Sequence, residues 1–353
     1  MDGEIAMDSD AHTLLLSVMV PARNEAESIR ACLESLVRQS DEDFLLGRVW
    51  ELIVVDDAST DATKKIAEGF DGVAVLDASP LPAGWTGKAN ALWSAAQQSR
   101  GRWLLFTDAD TVHEAGSLRR AMHEAEKYRV TLLSYSPHQL VHGLAQRALM
   151  PLVFGDLVQK YPPRLVNAPE SPLAAANGQF LMMDRSVYFR MGGHKAVHSS
   201  LIEDLELARR CKHTKEGIRF RYAPDAVSAK MYRSFGGMYQ GWLKNLATLF
   251  PDALVRSFGK MFLTVLLLGL PVLAIWLYLT VARKEVIWAV ALWWAWRVRV
   301  HYANVAKAHF SVFNALLSPL ALPLYAWLLL ASWLQKNVRR QVTWKGRNYS
   351  TER

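Results

Sequence analysis

Asp108 and Asp110 flank a single alanine just beyond the apolar run Trp103-Leu-Leu-Phe106, in the stretch Thr107-Asp108-Ala109-Asp110. A strand that points alternate side chains to opposite faces and then breaks into a turn brings both acids round to one divalent cation. Hard carboxylate oxygens suit Mg²⁺ or Mn²⁺, and such ions keep open positions for phosphate oxygens; the diphosphate of a sugar nucleotide is their natural client. The same acids also suit a solvated turn ahead of a helix starting near Glu114. Their company separates the two readings.

Upstream, Leu52-Ile-Val-Val-Asp56-Asp57-Ala-Ser59-Thr60-Asp61 is a β-branched run that ends in acids and enters a helix capped by Ser59 or Thr60. Earlier still, Leu14 to Val20 runs into Pro21-Ala-Arg23-Asn24-Glu25, where Pro21 stops a strand and Arg23 supplies a fixed positive charge. In an open α/β sheet, ligands bind beyond the carboxyl ends of the strands. Three strands therefore deliver polar groups to one edge. Lys88, after Gly84-Trp-Thr-Gly87 at a helix start, adds a cation suited to a departing diphosphate. Glu203 and Asp204 offer carboxylates for proton transfer, or else negative charge for the first turn of a helix, with Glu206 spaced to pair with Arg209 or Arg210.

The elements that must position these groups alternate. Strands are expected near residues 14–20, 51–56, 73–77, 102–107 and 130–136, with amphipathic helical segments near 25–38, 60–69, 88–99 and 114–128. That alternation predicts an α/β fold, a mostly parallel sheet flanked by helices. The second half is less regular, with prolines 162, 163, 169 and 172 marking a loop and paired glycines at 192–193 and 236–237 marking turns. Cys32 and Cys211 sit in helical patterns and suggest packing, not a disulfide or zinc framework. His138, His142, His194 and His198 are candidate ligands or bases, the last two in a Gly-rich loop before Glu203, or plain surface histidines.

Of 353 residues, 51% are hydrophobic, 13 are tryptophan, and the formal charge is +8. The apolar residues concentrate late in the chain. Residues 261–282 and 311–334 are charge-free and long enough to cross a hydrocarbon core of about 30 Å, giving two C-terminal transmembrane helices. Pro271 sits inside the first, a position tolerated where neighbours satisfy the freed carbonyl. Between them, 286–306 ends in Arg297 and Arg299 and could cross or lie along the interface. Charge bias leaves the number of crossings and the side of the basic tail, Lys336, Arg339, Arg340, Lys345 and Arg347, open. Positive charge gathered around apolar spans, with no nucleic-acid motif, points to membrane headgroups as anionic partners. Met1 to Thr13 is acidic and polar, so no leader is expected there, and a multi-pass protein of the cell (inner) membrane with its catalytic domain in the cytoplasm follows.

Val20-Pro21-Ala-Arg-Asn24-Glu25, Val54-Val-Asp56-Asp57-Ala-Ser59-Thr60-Asp61, Gly84-Trp-Thr-Gly87-Lys88-Ala-Asn90, Asp108-Ala-Asp110 and Glu203-Asp204-Leu-Glu206 together resemble the inverting family 2 glycosyltransferases with the GT-A fold. They occur in the family's order over roughly residues 14–250. The Gly-Trp-Thr-Gly-Lys stretch and the apolar C-terminus look most like membrane-bound bacterial enzymes of carotenoid and hopanoid glycosylation. The resemblance implies a tail at 1–13, a catalytic domain at 14–255 with a nucleotide-binding half (14–136) and an acceptor half (137–255), membrane segments at 256–335 and a basic tail at 336–353.

It further implies a metal-dependent hexosyltransferase moving one sugar from a nucleotide-diphosphate donor to a lipid acceptor. Asp204 takes the role of base, with Glu203 its neighbouring candidate. Pro21, Arg23, Glu25, Asp56, Asp57, Lys88 and Asp108 fall to the donor, and Asp108 with Asp110 to a Mg²⁺ or Mn²⁺ ion. Polymerising members carry a Gln-x-x-Arg-Trp element where this chain has Tyr239-Gln240-Gly-Trp242-Leu-Lys244, which favours a single transfer over a processive synthase. Arg233 or Lys244 would then reach the diphosphate, while Gly178, Gln179 and Trp242 face the acceptor. Leu181-Met-Met183 could line a lipid site or simply be core, and the apolar stripe of 235–258 could lie on a bilayer. A catalytically silent nucleotide-sugar-binding protein is the reading from outside enzymology.

Overall fold

The computed structural model describes residues 14–280, 284–344 and 347–350. The N-terminal tail, the last two residues of the expected span at 261–282, and Lys345 lie outside them. The chain sorts into two compact units: Met1–His138 with Ala174–Ala229, and Gln139–Leu173 with Lys230–Arg353.

The first unit opens with β1 (Leu16–Ala22), α1 (Ile29–Val37), β2 (Trp50–Asp56), α2 (Thr63–Ala67), β3 (Val73–Asp77), α3 (Gly87–Gln98) and β4 (Trp103–Phe106). These are the expected strands and helices within a few residues. β1 pairs in parallel with both β2 and β4, and β2 with β3, so the carboxyl ends of all four strands share one edge. Every residue of β4 is buried, and β2 is buried from Leu52 onward, which is what a parallel sheet covered on both faces requires. β5 (Thr111–His113), α4 (Ser117–Tyr128), β6 (Leu132–Ser136) and β7 (His138–Gln139) follow.

α5 (Gly143–Lys160) and α6 (Pro163–Val166) belong to the second unit, and the first resumes with β8 (Leu181–Asp184), α7 (Arg185–Arg190), α8 (Glu203–His213), β9 (Ile218–Tyr222) and β10 (Val227–Ala229). The main sheet has the order β3-β2-β1-β4-β8-β6-β9. β8 runs antiparallel to both β4 and β6, a reversal that brings residues 177–180 beside the end of β4. Met182 and Met183 are fully buried in that strand, so the lipid-lining alternative for Leu181–Met183 gives way to core.

The second unit is helical: α9 (Phe235–Leu249), α10 (Ala253–Thr264), α11 (Leu270–Thr280), α12 (Lys284–Ala306), α13 (Val312–Leu317) and α14 (Leu322–Leu334), closed by the hairpin β11 (Gln341–Trp344) and β12 (Arg347–Ser350). Its core includes Leu149, Met238, Trp242, Leu246, Phe250, Leu322 and Tyr325. The stripe of α9 expected on a bilayer surface is thus internal to this unit. Two 28-residue helices, Ala253–Thr280 and Val312–Arg339, are long and apolar enough to cross a membrane. Most of the first is uncovered by protein: only 11% of its most apolar window is buried, against 44% for the second.

Pro271 shows how the first of these stays continuous. Proline lacks the N–H that would bond the carbonyl four residues back, and the helix widens to π geometry over Val265–Gly269 just before it. The freed carbonyl of Leu267 accepts the indole N–H of Trp294 on α12 at 3.3 Å.

Candidate active site

At the β1 and β2 ends, two loops are stitched together by side chains acting on backbone. Asn24 takes a left-handed φ of 54°, and its Oδ1 accepts the Thr60 N–H at 2.8 Å while its own N–H reaches Ser59 Oγ at 3.1 Å. The Glu25 N–H donates to Thr63 Oγ1, and the Ala26 N–H to Asp61 Oδ2. Slight burial acts to raise the pKa of Asp61, yet these bonds and those from Thr63 outweigh it and hold the carboxyl below its ordinary value. Arg23 Nη1 donates to the Asp57 carbonyl at 2.6 Å and lies 3.9 Å from its carboxylate. Asp56 Oδ2 accepts the Ser59 N–H, whereas its buried Oδ1 has no hydrogen-bond partner among the described residues. An orphaned buried carboxylate oxygen at a strand end is an acceptor awaiting a donor.

At the β4 end, Thr107, Thr111 and His113 form a buried knot. The Thr107 hydroxyl donates to the Gln179 carbonyl at 2.7 Å, and the Thr111 hydroxyl to the Asp108 carbonyl at 2.7 Å. His113 Nε2 sits 3.1 and 3.2 Å from the two hydroxyl oxygens. Both hydroxyl protons being spent, Nε2 must carry the proton that joins the ring to them. Burial pushes the His113 pKa down to about 3, in keeping with that neutral ring. The knot fixes the backbone of the Asp108-Ala-Asp110 turn. Cys32, free and buried, adds a long contact to the Asp108 carbonyl at 3.7 Å.

Lys88 is the centre of the charged cluster. Gly84 turns the chain with φ +80°, and the Thr86 side chain caps α3 by accepting the Ala89 N–H. Lys88 therefore projects from the first turn of a helix. Its Nζ lies 2.7 Å from Asp108 Oδ1 and 2.9 Å from Glu203 Oε1. Burial works against its charge, but Asp108, Glu203 and Asp204 outweigh it and hold the ammonium well above its usual pKa. Glu203 shows the same balance reversed: burial raises it, and Lys88 more than restores its ionisation.

Asp204 differs from its neighbour in partners and in charge. Oδ2 accepts the Gly178 N–H at 2.7 Å and Oδ1 the Leu205 N–H at 2.8 Å, so backbone alone aims the carboxylate. Burial first, then the adjacent Glu203 charge, lift its pKa to about 6. A carboxyl tuned toward neutrality suits a general base better than one locked in an ion pair. A Cβ at Gly178 would stand 2.9 Å from Lys88 Nζ, so any larger residue there displaces the lysine.

The residues expected to act together thus divide. Pro21, Arg23, Glu25, Asp56, Asp57, Lys88, Asp108, Asp110, Gly178, Gln179, Glu203 and Asp204 all belong to the first unit, whereas Arg233, Lys244 and Trp242 belong to the second. Trp242 is 1% exposed, packed against Tyr232 and Phe154. His194 is buried, bonded through Nδ1 to the Tyr188 hydroxyl, while His198 stacks near Trp85. Asp108 and Asp110 offer hard oxygens that fit a divalent ion, but no group of three His, Cys, Asp or Glu arranged for a metal occurs among the described residues. Substrate oxygens would have to complete such a shell. Thr107, Thr111, His113 and Tyr188 escaped sequence reasoning because nothing local marks a threonine or histidine as half of a long-range bond.

A parallel sheet whose strand ends carry acids, with a helix-borne lysine among them, defines a nucleotide-diphospho-sugar transferase fold of the GT-A type. Residues 17–192 match the model of glycosyl transferase family 2, and the chain carries a domain of that family. A relative described as 4,4'-diaponeurosporenoate glycosyltransferase, from Staphylococcus aureus, is 23% identical over 347 residues, 95% of this chain and 88% of that protein. Among solved structures, a Pyrobaculum calidifontis mannosyltransferase in complex with GDP-Man and Mn²⁺ superposes with a TM-score of 0.53 at 18% identity, covering 94% of this chain and 89% of that one. The latter likeness speaks for the fold alone.

Proposed function

We propose that this chain is an inverting glycosyltransferase moving one sugar from a nucleotide-diphosphate donor to a lipid acceptor at a membrane. The observation that carries the reading is the pairing of a clamped Asp204, its pKa lifted to about 6, with a lysine held between Asp108 and Glu203. Asp204 takes the proton of an acceptor hydroxyl, with Glu203 holding Lys88 beside it. The hydroxyl oxygen then bonds to the anomeric carbon from the face opposite the diphosphate, whose bond to that carbon breaks, inverting the centre.

Lys88 offers positive charge to the departing diphosphate. The cluster is nevertheless acidic, with Asp108, Glu203 and Asp204 around one ammonium, and it would repel a diphosphate unless a further cation entered with it. That imbalance supports a divalent ion at Asp108 and Asp110, which would neutralise the leaving group's charge. The Mn²⁺ of the mannosyltransferase complex supports the same reading. Asp56, through its orphaned Oδ1, takes a donor on the nucleotide base; Asp57, tied to Arg23, takes the ribose or diphosphate side, with Pro21 and Glu25 shaping the loop. Gly178 and Gln179 border the acceptor.

A carotenoid-type or other isoprenoid acceptor is supported by the relative's name, and membrane anchoring by the two long apolar helices. The test is transfer in native membranes from a panel of labelled sugar nucleotides, with Mg²⁺, Mn²⁺ or chelator, comparing the intact chain with Asp204→Asn. Label entering the organic-soluble fraction, dependent on metal and lost in the variant, supports the reading. Label in polymer would replace it with a processive synthase, and nucleotide binding without turnover with a silent binding protein.

A further inference from the structure

The second unit holds a polar cavity of about 130 Å³ among α5, α10 and α12, lined by Asp156, Lys260, Arg297, His301 and Asn304 together with apolar side chains. That volume far exceeds the roughly 10–15 Å³ one water needs. Asp156 is fully engaged: Oδ1 with Lys260 Nζ at 2.7 Å, and Oδ2 with the Tyr325 hydroxyl at 3.0 Å and, more loosely, Arg256 at 3.7 Å. No carboxylate pairs with Arg297 among the described residues. Its Nε is buried without a hydrogen-bond partner among the described residues, and its guanidinium carbon lies 5.7 Å from the Trp296 ring centre. The lining therefore carries two positive charges against one negative, and the surplus sits on the planar, five-donor group best shaped for an oxyanion.

We propose that this cavity binds the oxyanion end, phosphate or carboxylate, of an amphipathic lipid. Leu152, Leu263 and Val300 supply apolar wall beside the charged end. On α12, Trp293 is exposed one turn before Arg297, giving a tail an apolar surface on the same helix face as the cavity lining. A free inorganic anion would have no use for either. The inference rests on the second unit alone and stands whether or not sugar transfer is the activity of the first.

Native mass spectrometry of the full chain in neutral detergent tests it, offering phosphatidylglycerol, phosphatidylcholine of the same tails, oleate or inorganic phosphate in separate arms. The expected result is one retained phosphatidylglycerol or oleate with about tenfold preference over phosphatidylcholine, a preference removed by Arg297→Gln and kept only in part by Arg297→Lys. Retention of phosphatidylglycerol alone assigns a phosphate head, and equal retention of oleate extends the site to carboxylates. Equal retention of phosphatidylcholine, an unaffected Arg297→Gln protein, or binding of inorganic phosphate without either lipid would each overturn the proposal. If Arg297→Gln fails to fold, the Arg297→Lys protein and the lipid panel on the intact chain carry the test.

Discussion

Lys88 meets Asp108 in the α/β unit, and Lys260 meets Asp156 in the helical unit, each at 2.7 Å. Their surroundings are opposite. Lys88 is a single cation among Asp108, Glu203 and Asp204, and a third of its side chain is exposed, so it can exchange partners when a substrate arrives. Lys260 and Arg297 outnumber Asp156, and the Lys260–Asp156 pair is more deeply buried. An identical bond length says little about role. The net charge left around the pair decides what each site can receive, a cation with its anionic cargo in one case and an oxyanion in the other.

The contrast breaks most sharply at Asp204. Asp204→Asn is expected to lower transfer by about 10²–10⁴-fold while donor binding, followed by calorimetry, survives. Equal losses in both would make the residue structural. Lys88→Met should cost about 10²–10³-fold in turnover through the departing diphosphate. The corresponding change in the other unit, Lys260→Met, leaves the buried Asp156 only the Tyr325 hydroxyl and the looser Arg256, and should instead lower the unfolding free energy by about 3 kcal/mol, read by denaturant titration. If the two lysine variants fail in the same way, the comparison is wrong.

A pH profile sharpens it further. With its pKa lifted to about 6, Asp204 is the free carboxylate above that value and loses its basic form as pH falls through it. Turnover should therefore fall about tenfold per unit below roughly pH 6, a limb that Asp204→Asn abolishes along with most of the rate. Gly178→Ala, which pushes a methyl into Lys88, should reduce kcat about tenfold with little change in melting temperature. The smallest effect belongs to Trp294→Phe, which deprives the Leu267 carbonyl of its donor and should cost about 1 kcal/mol of stability.

Much of the first unit was legible from local pattern. Val54 and Val55 before Asp56, or Leu104 and Leu105 before Asp108, announce strands that stop at polar groups, and parallel pairing then gathers those stops on one edge. Lys88 was legible too, because glycines and a capping threonine mark a helix start. What stayed hidden is tertiary. Leu181-Met-Met183 carries no sign that its strand runs against its neighbours, yet that reversal sets Gly178 on Asp204. Thr107 and His113 are ordinary residues until folding points them at each other. The stripe of residues 235–258, Trp242 among them, could lie on a bilayer because an apolar stripe looks alike whether it meets lipid or other helices, and here it meets helices.

The bond from Trp294 to the Leu267 carbonyl also has a timetable. Synthesis runs from one end, and the donor follows its acceptor by 27 residues. At about 5–20 residues per second, the carbonyl freed by Pro271 waits roughly one to five seconds for the indole that will satisfy it. In an apolar surrounding, an unsatisfied carbonyl costs several kcal/mol for as long as it waits. Were these helices to enter a bilayer, the chain would be pressed to keep α10 and α11 wet, or held by other polar groups, until α12 exists, and to settle them together with it instead of one after the other.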